Sequence, residues 1–208
     1  MSDTERQAHW QNVYTSKGET EVSWFQERPE TSLEFIAAAQ ARPDSAIIDI
    51  GGGASRLVDA LLDSGYSNLT VLDLSEAALA ASRERIGARA ASVKWVAADV
   101  TTWRPTEQYD LWHDRAAFHF LNDENDRRAY VSCLKAALRV GGQAIIGTFA
   151  LNGPERCSGL PVTRYDATSL AAVLGPRFRL LASRVEEHRT PWDASQIFQF
   201  SRFVLAHE

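Results

Sequence analysis

Along the chain, short apolar runs alternate with stretches in which apolar residues recur every three or four positions. The runs AIIDI (46–50), LTVLDL (69–74), VKWVAA (93–98), YDLWH (109–113) and QAIIGTF (143–149) predict buried strands. Between them SRLVDALLDSG (55–65), SEAALAASRERIG (75–87) and ENDRRAYVSCLKAALRVGG (124–142) predict helices with one apolar face. Ser75 suits an N-cap, and Gly65, Gly87 and Gly141–Gly142 stand where helices would stop. Strand and helix in strict alternation imply an α/β fold, a parallel sheet covered on both faces.

The pattern changes at both ends. Residues 178–188 and 196–208 read as two strands with no helix between them, an antiparallel addition to one sheet edge. The first 45 residues predict two helices, near 5–15 and 29–41, with Trp10, Tyr14 and Trp24 around them. The expected organisation is one domain over 1–208, a helical cap at 1–45 and a sheet core at 46–208. A chain of 208 residues can bury such a core without disulfides. Its net charge of −5 argues against nucleic acid as the main partner. No run is long enough to span a bilayer and the N-terminal stretch lacks the apolar core of a signal peptide, so a cytoplasmic protein is expected. With two cysteines, Cys133 and Cys157, no metal centre is expected.

Open α/β sheets bind ligands beyond the carboxyl ends of their strands, so the residues just after each strand carry the chemistry. After the first come Asp49, Gly51, Gly52 and Gly53, where a backbone can approach a ligand closely and offer amides to an anion. A glycine turn alone is weak. The second strand, however, ends on Asp73, placed to accept both hydroxyls of a ribose. The third ends on Asp99, placed to take an adenine amine, with Val100 offering a backbone amide. A dinucleotide site has no comparable use for the third acid and prefers glycine where Arg56 stands; a Walker loop would need Gly-Lys-Ser/Thr, which is absent. Adenosine with a small charged tail fits best.

With IIDIGGG, VLDLS, AADV, YDLWHDR and ALRVGGQAIIGTF in this order over 46–150, the chain resembles the class I S-adenosylmethionine-dependent methyltransferases. The resemblance implies a Rossmann-like seven-stranded sheet in the order 3-2-1-4-5-7-6, the last strand antiparallel. It also implies S-adenosylmethionine as cofactor, S-adenosylhomocysteine as product, and Leu74 beside Asp73 as a cofactor contact. A narrower similarity lies in HWQNVY, EVSWFQ and the GxGxS form of the turn (Gly51, Gly53, Ser55), shared with lysine methyltransferases acting on citrate synthase and elongation factor 1A. It implies that Trp10, Tyr14 and Trp24 fold over the cofactor. HDRAAFHFL after the fourth strand departs from those enzymes, which weakens a protein acceptor.

On the acceptor side the fourth strand leads into His113, Asp114, Arg115, Phe118 and His119. Asp114 and Arg115 should stand where the methionine portion meets the acceptor. His119 is a candidate base and Phe118 a pocket wall, against packing of a short helix as the plainer reading. The long segment 152–166 follows the fifth strand at the same end and brings Arg156, Cys157, Arg164 and Tyr165 as substrate candidates. The favoured function is methyl transfer to a small molecule; a protein-lysine methyltransferase and a non-catalytic cofactor-binding subunit are the alternatives.

Overall fold

In a computed structural model, which describes residues 3–207, helices α1 (Asp3–Ser16) and α2 (Glu30–Ala38) precede the sheet. Then β1 (Ile47–Ile50), α3 (Leu57–Asp63), β2 (Leu69–Asp73), α4 (Glu76–Ile86), β3 (Val93–Ala97), β4 (Tyr109–Arg115), α5 (Glu124–Ala137) and β5 (Leu138–Phe149) alternate as the periodicity predicts. A small hairpin, β6 (Arg156–Cys157) and β7 (Leu160–Pro161), and α6 (Ala167–Leu174) come next. The chain ends in β8 (Phe178–Arg189) and β9 (Ser195–Leu205). The main sheet runs β3-β2-β1-β4-β5-β9-β8. Leaving the hairpin aside, this is the Rossmann-like order expected, and β9 alone runs antiparallel to its neighbours β5 and β8.

The central strands are continuous apolar runs because both faces are covered. One face packs Trp112, Ile146 and Phe203 against Tyr130 and Leu134 of α5 and Leu170 of α6. The other packs Ile47, Leu111, Ile145 and Phe200 against α2 and α3 through Phe35, Ile36, Leu57 and Leu61.

Three expectations need correcting. The helix predicted to reach Gly142 stops at Ala137, where Leu138 turns extended (ψ 138°). The residues read as its last turn open β5 instead, and the register slips from Tyr109↔Leu138 to Leu111↔Gln143. That bulge takes up LRVGG, with Gly141 at φ +82°. Second, α6 was not predicted; Asp166 caps it by accepting from the Ser169 amide at 2.7 Å. Third, part of 152–166 is the β6–β7 hairpin rather than open loop.

Candidate functional site

Along β4, side chains alternate between the two faces of the sheet. His113 and Arg115 point toward α2 and the N-terminal segment, while Trp112 and Asp114 point toward α5. This alternation sorts the chemistry around β4. The ends of β1, β2, β3 and β4 open on two adjoining cavities. The larger is lined by Asp73, Leu74, Asp99, Val100 and Gly51 on the sheet side, and by Arg6, Trp10, Tyr14 and Trp24 from the N-terminal segment. Arg115, Phe120, Leu121 and Cys157 complete it. The smaller lies over the glycine turn, lined by Asp49, Gly52, Ser55, Arg56, Ser32 and His113. Tyr14, Trp24, Gly51 and Arg115 border both.

The glycine turn is shaped by what a side chain would strike. A Cβ on Gly52 would lie 2.5 Å from an Asp49 oxygen, and one on Gly53 would lie 2.6 Å from Asp73 Oδ2. The amides of Gly51 and Gly52 do not serve as free anion donors, since both donate to the Leu72 carbonyl (2.7 and 3.3 Å). Arg85 anchors the turn from α4, donating to the Ala54 and Ser55 carbonyls and pairing with Asp59 at 2.7 Å. Ser55 accepts from the Leu57 amide at 3.1 Å, one residue ahead of Arg56, which occupies the N-cap of α3.

Asp73 is buried, and its Oδ1 accepts from the Ser75 amide at 2.8 Å. Burial pushes its carboxyl up to about 7, with the Ser75 amide pulling the other way. Asp99 accepts from Thr101 on Oδ1 (2.8 and 2.7 Å) and from Arg6 Nη2 and Nε on Oδ2 (2.9 and 3.1 Å). Arg6 reaches Asp126 as well, at 2.5 Å, so α1 is tied across two strand–helix units. Gln11 adds a third tie, accepting from the Ser75 hydroxyl and the Ala77 amide at 3.0 and 3.2 Å. Arg56 pairs with Glu19 (2.6 Å) and Glu27 and stacks over Phe25, strapping residues 19–27 beside the turn. Trp10 packs against Tyr14, Trp24 and Phe120 with ring centroids 6.5, 5.8 and 4.9 Å apart.

Asp49, His113 and Ser32 form a buried chain: Asp49 Oδ1 is 2.7 Å from His113 Nδ1, and His113 Nε2 is 2.9 Å from Ser32 Oγ. The three come from β1, β4 and α2, so no local motif announces them.

Several acceptor-side expectations fall elsewhere. Asp114 is fully buried behind the cavity, accepting from the amides of Ala117 (2.9 Å) and Phe118 (3.1 Å) and from the Tyr130 hydroxyl (2.7 Å). It clamps the tight turn in which Ala116 adopts φ +71°. Burial pushes its carboxyl up to about 6, against the pull of Tyr130. His119 is also fully buried; its Nδ1 accepts from the Phe149 amide at 3.2 Å, and burial, then Arg115, depress its pKa to about 3. A neutral imidazole walled off from the cavity has no route to an acceptor proton. Phe118 and Tyr165 belong to the core, 5.4 Å apart between rings. Arg156 closes its own hairpin on the Gly159 carbonyl, and Arg164 binds the Gly153 carbonyl and Glu155 (3.2 and 3.1 Å). Of the substrate candidates Cys157 lines the larger of these two cavities, its thiol pushed up to about 11 by burial, and the others line neither. Arg6, Phe120 and Leu121 line it without having been singled out in the sequence.

Asp114→Ala therefore acts on stability. Two amides and a hydroxyl lose their acceptor, and the expected cost is about 3 kcal/mol in urea unfolding, since each buried orphan costs roughly 1–3 kcal/mol. Affinity of the folded fraction for S-adenosylhomocysteine should stay within about threefold. Loss of affinity at unchanged stability would return Asp114 to the site.

A ligand cavity at the carboxyl end of an open, mostly parallel sheet, with acids after β2 and β3, is the arrangement of a nucleotide-binding α/β protein. Residues 47–142 match the family described as methyltransferase domain. Thiocyanate methyltransferase 1 of Arabidopsis thaliana is 27% identical over 195 residues, 92% of this chain and 82% of that protein. The eEF1A lysine and N-terminal methyltransferase of Mus musculus is 27% identical over 95 residues, 45% of this chain; the match spans only 13% of that protein's length. Among solved structures, the 1,6-didemethyltoxoflavin-N1-methyltransferase of Burkholderia thailandensis superposes with a TM-score of 0.70 at 18% identity, covering 100% of this chain and 92% of that one. It was solved with 1,6-didemethyltoxoflavin and S-adenosylhomocysteine bound. Residues 47–142 are thus similar to a methyltransferase domain, and the whole chain shares its fold with a methyltransferase solved with S-adenosylhomocysteine bound. Among the described residues no helix is long and apolar enough to cross a membrane, and no cluster of His, Cys, Asp and Glu could hold a metal.

Proposed function

We propose that this protein transfers a methyl group from S-adenosylmethionine to a small molecule. The observation that carries the reading is one cavity edged by Asp73, Leu74, Asp99 and Val100 on the sheet side and roofed by Trp10, Tyr14 and Trp24. A buried Asp73 whose carboxyl is raised toward 7 wants hydrogen-bond donors, which a ribose diol supplies. The crowding of Gly53 against the same carboxylate leaves room there for backbone alone. Asp99 would hold the adenine amine alongside Arg6, and the smaller cavity, lined by Asp49, Gly52, Ser55 and Arg56, would take the methionine portion, with Arg115 facing the acceptor. When bound, the cofactor supplies an electrophilic methyl on a sulfonium. The chain's own part is to orient the acceptor in line and exclude water.

The enclosed roof favours a small acceptor, and so does the Arabidopsis relative, which matches nearly the whole chain and is named for an inorganic anion. A protein-lysine acceptor draws support from the mouse relative, whose match covers under half of it. The cap at 1–45 and the core at 46–208 would then act as one domain, the cap finishing the site. Incubating the protein with methyl-labelled S-adenosylmethionine and a desalted or whole cell lysate separates the readings. Label in metabolites is expected; label in one protein band would favour the lysine reading, and label in neither would leave a binding subunit.

A further inference from the structure

Among the described residues Arg115 is a cation with no ion-pair partner, although the fields of Glu186 and Asp49 reach it. Nη1 donates to the Trp24 carbonyl at 3.0 Å, and the guanidinium lies 4.5 Å over the Phe198 ring. Nε and Nη2 are buried and have no hydrogen-bond partner, and among the described residues Arg115 forms no ion pair. Burial drives its pKa down to about 10, although the field of Glu186 opposes this. Buried charges normally persist only when paired. Arg115 borders both cavities, at the point where the aromatic roof meets the glycine turn.

The walls of the larger cavity beside Arg115 add a second constraint, because none offers a base, and His113, which shares the smaller cavity with Arg115, has its ring nitrogens engaged by Asp49 and Ser32. Trp10, Trp24 and Phe120 are not bases, and the Cys157 thiol is held protonated at neutral pH, at about 11. Burial and Asp73 raise the Tyr14 hydroxyl further. Asp114 and His119 are sealed behind the wall. Asp73 and Asp99 sit at the nucleoside end.

We infer that Arg115 is the binding partner of an anionic acceptor, so that the methylated class is small anions with an exposed lone pair, such as thiolates, thiocyanate or hydrosulfide. The inference rests on the methyltransferase reading above. The anion's lone pair forms the new bond to the methyl carbon and the carbon–sulfur pair returns to sulfur. The negative charge of the anion and the positive charge of the sulfonium disappear together, and no proton is released. No base is required, in accord with the aromatic and thiol walls that the larger cavity sets around Arg115. Arg115 holds and aims the anion, and the aromatic roof keeps water from it.

Equilibrium dialysis of radiolabelled thiocyanate against the full chain, saturated with S-adenosylhomocysteine, tests this. Calorimetry on the wild type comes first: failure to bind S-adenosylhomocysteine would defeat the methyltransferase reading before any anion is added. Saturable binding of one thiocyanate per chain, displaced by iodide, is expected. Arg115→Gln should weaken it at least about tenfold, while affinity for S-adenosylhomocysteine changes less than about threefold. Should that variant fail to fold, Arg115→Lys carries the test. It keeps the charge but loses the fork, and thiocyanate should weaken roughly threefold to tenfold. The inference is overturned if the wild type shows no saturable thiocyanate binding, or if neither variant that folds weakens it. It is equally overturned if the variants weaken S-adenosylhomocysteine in place of thiocyanate, which would assign Arg115 to the cofactor's carboxylate.

Discussion

Asp73→Asn should cost the protein its affinity for S-adenosylhomocysteine while raising the melting temperature of the ligand-free form at pH 8. Both effects come from one buried carboxylate. The ribose hydroxyls would lose a charged acceptor, and a hydrogen bond to a charged group contributes about 1.5–3 kcal/mol, so affinity drops by roughly tenfold to a hundredfold or more. Without ligand the same charge is a burden. Burial raises the carboxyl from 3.8 to about 7, so the folded state holds this proton more tightly than the unfolded chain does. Its favourable contribution is complete below pH 3.8 and is lost as pH climbs through about 7. Asparagine keeps an oxygen for the Ser75 amide and carries no charge. At pH 8 the variant should gain at least about 1 kcal/mol over the wild type, shrinking toward pH 4, because each unit of pKa shift is worth about 1.4 kcal/mol. Thermal melts at pH 5 and pH 8, with and without S-adenosylhomocysteine, measure both effects. A variant that binds like the wild type, or a stability difference indifferent to pH, would remove Asp73 from the site.

Deleting residues 1–28 should leave a folded core that has lost its ligand. None of the sheet strands lies in this segment, and the apolar clusters on both faces are built almost entirely from later residues. What goes is one wall of the cavity, with Arg6, Trp10, Tyr14 and Trp24. Burying one large side chain contributes about 1.5–3 kcal/mol, so losing even two of these faces predicts at least a hundredfold drop in affinity. Circular dichroism should still report a cooperative melt. Arg6→Ala is the milder companion, freeing Asp99 and Asp126 from α1 and expected to weaken binding several-fold. A truncated chain that bound S-adenosylhomocysteine normally would show the aromatic roof to be ordinary helix packing.

The central strands and the helices between them were legible because a parallel sheet buried on both faces writes itself as continuous apolar runs. Strand ends were legible too, which is why Asp73 and Asp99, in separate motifs, could be placed on one cavity. The alternation within β4 was harder to use. YDLWHDR is buried over most of its length, so polarity alone does not say which face each residue takes. Asp114 and Arg115 looked equivalent in sequence, yet successive residues face opposite sides, and only Arg115 reached the cavity. Asp49, His113 and Ser32 meet through three elements, and Arg6 meets Asp99 across 93 positions; neither pairing leaves a local signature. The β5 bulge hid for a different reason: LRVGG satisfies a helix ending as well as a strand opening.

The ties of α1 also carry a consequence for assembly. Its partners Ser75, Asp99 and Asp126 belong to elements that must already stand in the sheet, 64, 93 and 120 positions away. Such contacts repay their loop-closure entropy only after the intervening chain is ordered. During synthesis α1 leaves the ribosome before every element it is tied to, and it is thus seated only after them. In the finished protein its amides should exchange with solvent well before those of β1 and β4, since local opening begins where few contacts hold. The roof of the site is a late layer of the fold in time, although it precedes in the chain every element it rests on.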